Sequence, residues 1–270
     1  MVLTKKNKSA RNNVLFILLE ILCAVLFFCT VVRMYRIVGD YKKASREYEV
    51  LAESVVKEEK KPVFTEETEK REEYILDLPY DYEVAEYDVD LETVKMKNSD
   101  TVGWIILPDS KINYPIVKSK DNKEYLTTTF EGQTANSGAI FLSMYCDDNF
   151  SNQNTVIYGH NMKNGSMFRA LNHMTDKEYF WRHHIFYMDI GNGVEPYEVI
   201  SCYQTIETDP IPWQLSFQSQ ESYETWLKSI SERCAYDCVD YDVNKTTITL
   251  STCRGQSGGT GRFVVHLQKK

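Results

Sequence analysis

The chain is short of positive charge. Its 31 Lys and Arg against 39 Asp and Glu leave a net charge of −8, which argues against nucleic acid as a partner, because phosphate binding needs concentrated Lys and Arg. It has no acidic cluster within its β-rich region that reads as a calcium loop. Cys234 and Cys238 could pair or bind metal, but a C-x3-C spacing without a second ligand pair is a poor zinc signature. No metal and no other cofactor is therefore expected. There is also no small-residue cleavage site behind the long apolar run Val14–Val32, which is followed by Arg33-Met34-Tyr35-Arg36. A removable signal peptide would need such a site, so an uncleaved anchor is favoured.

That run has 19 residues, close to the roughly 20 that cross a bilayer as a helix. Lys5, Lys6, Lys8 and Arg11 precede it, and Arg33, Arg36, Lys42, Lys43 and Arg46 follow it, so charge flanks barely set its orientation. Glu20 lies near the entry end, where it can snorkel. Beyond the anchor, Tyr41, Ala44, Tyr48, Leu51 and Val55 alternate three- and four-residue spacings and form one apolar stripe on a helix. The stripe is short, which favours packing against the following domain over a coiled coil. The stretch from Glu53 to Glu73 is dense in Glu and Lys around Pro62 and reads as a solvated linker. From Glu72 to Glu92 there are nine acidic residues and no basic one, the pattern of a solvated face. The expected division is a tail at 1–13, an anchor at 14–32, a helical and acidic stalk at 33–92, and a C-terminal domain at 93–270.

The C-terminal domain reads as short strands rich in β-branched and aromatic residues: Thr101–Leu107, Ala139–Leu142, Thr155–Tyr158, Ile185–Met188, Tyr197–Tyr203, Thr246–Ser251 and Phe263–Leu267. Turn signals at Asn164-Gly165 and Gly191-Asn192-Gly193 separate them. Such a series suggests a closed barrel or sandwich. Met167–Leu171 and Gln220–Arg233 read as helices, the second with Tyr223, Trp226, Leu227 and Ile230 on one face.

Two strings carry chemistry. Ile248-Thr249-Leu250-Ser251-Thr252-Cys253 delivers a cysteine to a strand end, a glycine-rich loop follows, and Arg262 arrives nine residues later at the head of another strand. Upstream, Thr155-Val156-Ile157-Tyr158-Gly159-His160-Asn161-Met162 ends a strand-like run on a histidine. A thiol is mostly protonated at neutral pH, its usual pKa being about 8.5, and a neighbouring imidazolium favours the thiolate and later protonates a leaving amine. An arginine keeps its proton and serves as a fixed donor to developing negative charge. A cysteine in a strand is more often a small core residue, which suits Cys202 and Cys146. Cys253 differs in lying beside Gly255–Gly261, a loop whose glycines leave the backbone free to order on peptide binding. His173, His183, His184 and His266 read as surface or strand residues, and Arg262 is singled out only by its register after the cysteine.

The order TLSTC, strand-borne Arg, and YGHNM upstream resembles the sortases, cysteine transpeptidases of Gram-positive cell surfaces, and is most similar to class B. The likeness extends from Val94 to Leu267 and includes Val102-Gly103-Trp104-Ile105, Tyr114-Pro115-Ile116, Asp121-Asn122 with Tyr125-Leu126, and Ser137-Gly138-Ala139-Ile140-Phe141. It implies a mainly β fold: a closed sortase-type β-barrel of about eight strands, with N-terminal helices and a helix inserted before the cysteine strand, behind a single transmembrane helix. It also implies a membrane enzyme with its N-terminus inside and its catalytic domain outside. His160, Cys253 and Arg262 would be catalytic, the N–H of Arg254 a second oxyanion donor, and Asn122, Leu126, Tyr158, Ser251 and Thr252 part of the substrate groove together with Arg254. The implied partners are secreted proteins bearing a C-terminal sorting signal, cut after Thr through a thioester, and an amine of peptidoglycan or its precursor.

A pilin polymerase with a lysine nucleophile would keep the same chemistry. The sequence does not separate the two, although the lid of pilin-type enzymes usually carries an Asp-Pro-aromatic string, and Asp209-Pro210-Ile211-Pro212-Trp213 lies too far downstream for that role. A papain-like wall hydrolase would place its cysteine before its histidine, the reverse of the order here. A non-catalytic adhesin would be expected to lose at least one of the three residues.

Overall fold

The computed structural model describes residues 3–62, 83–234, 236, 238–254 and 259–270. The chain divides into two compact units, 1–44 and 45–270. Helix α1 (Leu3–Val55) supplies the first unit and enters the second. In the first, it is long and apolar enough to cross a membrane. Phe16, Leu18, Phe27 and Phe28 along it are exposed.

In the second unit the stripe residues Tyr48, Leu51 and Val55 are buried. Tyr48 packs edge-on against Tyr114, donates its hydroxyl to Gly138 O at 2.8 Å and accepts from Phe130 N–H at 3.1 Å. Beyond Val55 the structure corrects the linker reading. Strand β1 (Val56–Pro62) pairs antiparallel with β2 (Glu83–Val89), from Val56↔Val89 to Pro62↔Glu83. Lys57, Glu58, Glu59, Glu86 and Asp88 of this ribbon are exposed, with Lys57 set against Asp88, and Tyr87 lies on Tyr187 with ring centroids 4.8 Å apart. Residues 63–82 of the expected linker lie outside the described residues. Helix α2 (Leu91–Lys97) follows at once, capped by Asp90, whose carboxylate accepts from Thr93 N–H and Oγ1.

Eight strands then close a barrel. They are β3 (Thr101–Ile106), β4 (Asn113–Lys118), β5 (Ile140–Leu142), β6 (Asn154–Tyr158), β7 (Ile185–Asp189), β8 (Val194–Ile206), β9 (Thr247–Cys253) and β10 (Gly261–Lys269), in the spatial order β10-β8-β7-β3-β4-β5-β6-β9. The β4–β5 and β6–β9 pairs are parallel and the others antiparallel. Closure removes the exposed sheet edges. Trp104, Ile105, Ile116, Leu250, Val265 and Leu267 are buried in it. The sequence signals missed β4, whose Pro115 interrupts the β pattern, although Pro115 faces Trp104 in the ladder.

The segment read as a helix from Met167 is a run of 3₁₀ turns over Phe168–Thr175. It leads through Asp176, the N-cap, into α3 (Lys177–Arg182). Helix α4 (Gln220–Ser231) opens on a capping box of Ser219 and Ser222 and ends two residues before the expected Arg233. Its face of Tyr223, Trp226, Leu227 and Ile230 packs on Ile200, Tyr203 and Val264 of the barrel wall. Cys234 and Cys238, just after it, are joined as a disulfide.

Candidate active site

The barrel brings the three residues together through one central strand. On one side β9 pairs antiparallel with β10, and the register sets Arg262 directly opposite Cys253. Directly opposed residues share a face of the sheet, so Cys253, Ser251 and Thr249 face the same way as Arg262, Val264 and His266. On its other side β9 pairs parallel with β6, with Tyr158 level with Ser251. Gly159 N–H donates to Ser251 O at 3.1 Å. Continued two residues, this register sets His160 level with Cys253. Adjacent strands run about 4.8 Å apart, so thiol, imidazole and guanidinium project from neighbouring backbones at one end of the barrel. Val264 on this face lies under α4, while Cys253 is partly open.

Gly159 makes the approach to His160 possible. A Cβ there would stand 2.5 Å from Ile140 Cδ1 and 2.6 Å from the Phe168 ring. His160 Nε2 lies 2.8 Å from Leu126 O. A carbonyl only accepts, so Nε2 carries a proton and Nδ1 remains for the cysteine and leaving group. Leu126 ends the 3₁₀ turn Glu124–Leu126 and is exposed. Asn122, just before that turn, accepts Met144 N–H on Oδ1 at 2.8 Å and so ties together two loops at this rim. The Tyr158 ring has its centroid 5.4 Å from that of Phe141 and 6.3 Å from that of Trp213. Burial pushes its phenol up from the ordinary value, with the Ser143 hydroxyl and, further down the order, the Arg262 charge pulling back.

Arg262 is already held. Nη1 donates to Gly259 O at 2.8 Å and Gly261 O at 2.9 Å, and Nη2 meets Glu207 Oε2 at 2.5 Å. Two expectations on this wall concern Arg254 and the pair Ser251 and Thr252. Arg254 N–H donates to Gly261 O at 2.9 Å as a ladder bond, so in this conformation it is not a free oxyanion donor, and its guanidinium is bonded to Gln204. Ser251 and Thr252 are both buried. The Thr252 hydroxyl has no hydrogen-bond partner among the described residues, and neither side chain is open to a ligand. The reading that the glycine-rich loop orders on binding falls on 255–258, which lie outside the described residues.

Sequence reasoning missed Asn172, whose Nδ2 lies 3.5 Å from Cys253 O, and Glu207 and Trp213, both from the segment after β8. No local motif marks them, because each meets the site only through the barrel register. A thiol, an imidazole with one nitrogen bonded and one left over, and a guanidinium held by its neighbours are the kinds of group that acyl transfer uses.

A family model described as Sortase domain matches residues 105–270. The chain is 34% identical over 178 residues to Sortase B of Listeria monocytogenes, covering 65% of this chain and 72% of that protein. Among solved structures it is similar to the Staphylococcus aureus sortase B-substrate complex, with TM-score 0.63 and 29% identity over 67% of this chain and 84% of that one. It is likewise similar to sortase B of Bacillus anthracis, with TM-score 0.65 and 31% identity over 86% of this chain and 99% of that one.

Proposed function

The chain belongs to the sortase family, and from that premise we propose that it is a membrane-anchored class B enzyme that cuts a C-terminal sorting signal after Thr and joins the protein to a cell-wall amine. The observation that carries the reading is the register of β9, which places Cys253 between the strand leading to His160 and the strand bearing Arg262. Likeness to a structure described as a sortase B-substrate complex supports a sorting-signal peptide as the substrate class.

In the first step the Cys253 thiolate attacks the threonine carbonyl carbon. The carbonyl oxygen gains charge beside Arg262, whose guanidinium stabilises it. As the C–N bond breaks, His160 gives its Nδ1 proton to the departing amine, and a thioester remains on Cys253. In the second step the acceptor amine attacks that carbonyl and passes a proton to His160. The new amide forms as the C–S bond breaks and the thiolate returns. Asn122, Leu126 and Tyr158 line the groove in this reading, Ser251 backs it on the Cys253 face of β9 and Thr252 on the opposite face, and Arg254 contributes through its exposed side chain. The helix of the first unit serves as the anchor, with the N-terminus inside and the barrel outside.

The test is cleavage of fluorogenic sorting-signal peptides by the full chain in detergent micelles, with a simple amine acceptor, beside Cys253→Ala, His160→Ala and Arg262→Ala. Cleavage after Thr, with transfer to the amine and loss in all three variants, is expected. Failure to cut any peptide, together with no labelling of Cys253 by a thiol-directed probe, would remove the site assignment.

A further inference from the structure

Within the sortase reading, on which this inference rests, we propose that Glu207 is a positioning residue that clamps the Arg262 guanidinium in its working orientation. Glu207 follows β8, the strand that pairs with β10 through Ile206↔Gly261 and Thr205↔Arg262. Its backbone N–H donates to Thr260 O at 2.9 Å, and its carboxylate meets Arg262 Nη2 at 2.5 Å. The acidic side chain is thus docked to the loop before Arg262 by both backbone and charge.

The turn that carries Glu207 is itself fixed. Asp209 Oδ2 accepts from Thr205 Oγ1 at 2.6 Å and from Arg233 Nη1 at 2.5 Å, and its Oδ1 accepts from Ile211 N–H at 3.1 Å. The five-residue segment Thr205–Asp209 is closed on itself by the bond between its end side chains, with Glu207 at its centre. Asp209-Pro210-Ile211-Pro212-Trp213 therefore has a structural purpose unlike that of a lid. Its aspartate sets the turn, and its tryptophan lies against Tyr158.

The number of donors decides between a clamp and a block. A guanidinium has five N–H groups, and three of them are committed: two on Nη1 to the Gly259 and Gly261 carbonyls and one on Nη2 to Glu207. Nε–H and the second Nη2–H have no partner among the described residues. A planar fork held at one end offers its remaining N–H groups with little orientational freedom left to lose. A carboxylate partner also lessens the positive charge felt by an oxyanion. If that second effect prevailed, Glu207 would restrain catalysis and its removal would raise the rate.

The full chain in micelles is tested as wild type, Glu207→Ala and Glu207→Gln. Peptide-cleavage rates are normalised to Cys253 titrated with a thiol-directed probe, so that misfolded protein does not count. Glu207→Ala is expected to lower kcat about tenfold with KM changed less than about twofold, and Glu207→Gln, which keeps the acceptor oxygen, to recover most of the loss. A rise in kcat in Glu207→Ala, or equal losses in both variants, would overturn the clamp. Nitrogen NMR of arginine-labelled protein gives a readout free of activity, with the Arg262 signals identified by their absence in Arg262→Lys. Slow rotation of the guanidinium should keep its Nη signals separate in wild type and in Glu207→Gln and merge them in Glu207→Ala. Separate signals in all three refute the clamp. If wild type cuts no peptide yet its Nη signals behave as expected, the clamp stands and the sortase reaction is what has failed.

Discussion

Removing one buried hydroxyl from the N-terminal helix should loosen the rim of the site. Tyr48 is 3% exposed. Its hydroxyl accepts Phe130 N–H and donates to Gly138 O, joining two points of one loop. Burial pushes this phenol far up, so it stays a donor at any working pH. Tyr48→Phe keeps the ring and its contact with Tyr114 and deletes only the oxygen. The buried amide of Phe130 loses its acceptor and Gly138 O loses a donor, and an orphaned buried group costs about 1–3 kcal/mol. A total near 2–3 kcal/mol is expected. At about 2–4 °C per kcal/mol for a domain of this size, Tm should fall by about 5–10 °C. The assay is thermal unfolding of the full chain in micelles followed by near-UV circular dichroism. Tyr145→Phe is the control, because that ring is 70% exposed. The same loop connects to Leu126, since Ala139 N–H donates to Tyr125 O and Ala135 N–H to Thr127 O. A severalfold fall in peptide-cleavage kcat should accompany the loss of stability. A Tm shift no larger than that of the control would refute the reasoning, because the two backbone groups would then have found other partners without cost.

Three further outcomes are expected. Gly138→Ala should destabilise by about 3 kcal/mol or more, measured by urea unfolding, because φ is +54° and a Cβ would stand 2.2 Å from Tyr125 O; a loss below about 1 kcal/mol would contradict that geometry. Asn122→Ala should raise KM for the sorting peptide about three- to tenfold and leave kcat within about twofold, since it releases Met144 N–H at the rim; a fall in kcat with unchanged KM would exclude a groove role. His266, fully buried, is pulled down to about 3 by burial and then by the charge of Arg233. Its folded value lies below the ordinary 6.5, so the unfolded chain takes the proton first. The stability it contributes is present above pH 6.5 and is lost as pH falls from 6.5 toward 3, at about 1.4 kcal/mol per unit. Wild type should therefore lose about 2 kcal/mol between pH 6.5 and 5, and His266→Phe should show a flatter profile in denaturant titrations. Parallel profiles would rule out His266 as the source.

The sequence made the strands around the site legible because their side chains are β-branched and aromatic wherever both faces are covered. Six of the expected runs overlap β3, β5, β6, β7, β9 and β10, and a seventh lies inside the longer β8. The apolar stripe through Tyr48, Leu51 and Val55 was equally plain, because 3.6-residue periodicity depends on local spacing alone. What escaped was whatever owed its form to a partner distant in sequence. The β1 and β2 segments are rich in charge and look like solvated linker until they are paired with each other. Strand β4 carries Pro115 and was hidden by it. The ladder bond of Arg254 N–H was hidden for a related reason, since the pairing to β10 continues one residue past Cys253 and reaches that donor.

The juxtaposition at the heart of the site belongs to this second kind. Cys253 and Arg262 are only nine residues apart, and an antiparallel pairing of two strands so close in sequence is the simplest one available. His160 lies 93 residues before Cys253 (253 − 160), and nothing local says that β6 and β9 are neighbours, still less that they run parallel. Had the two strands paired antiparallel, His160 would lie at the end of the barrel opposite Cys253. Parallel strands need a crossover between them, and here it contains β7, β8 and α4. The same crossover delivers Glu207 to Arg262 and Trp213 to Tyr158. The long connection that sets His160 level with Cys253 is thus also the source of the side chains around them, which explains why the three proposed catalytic residues could be read from two short strings while their supports could not.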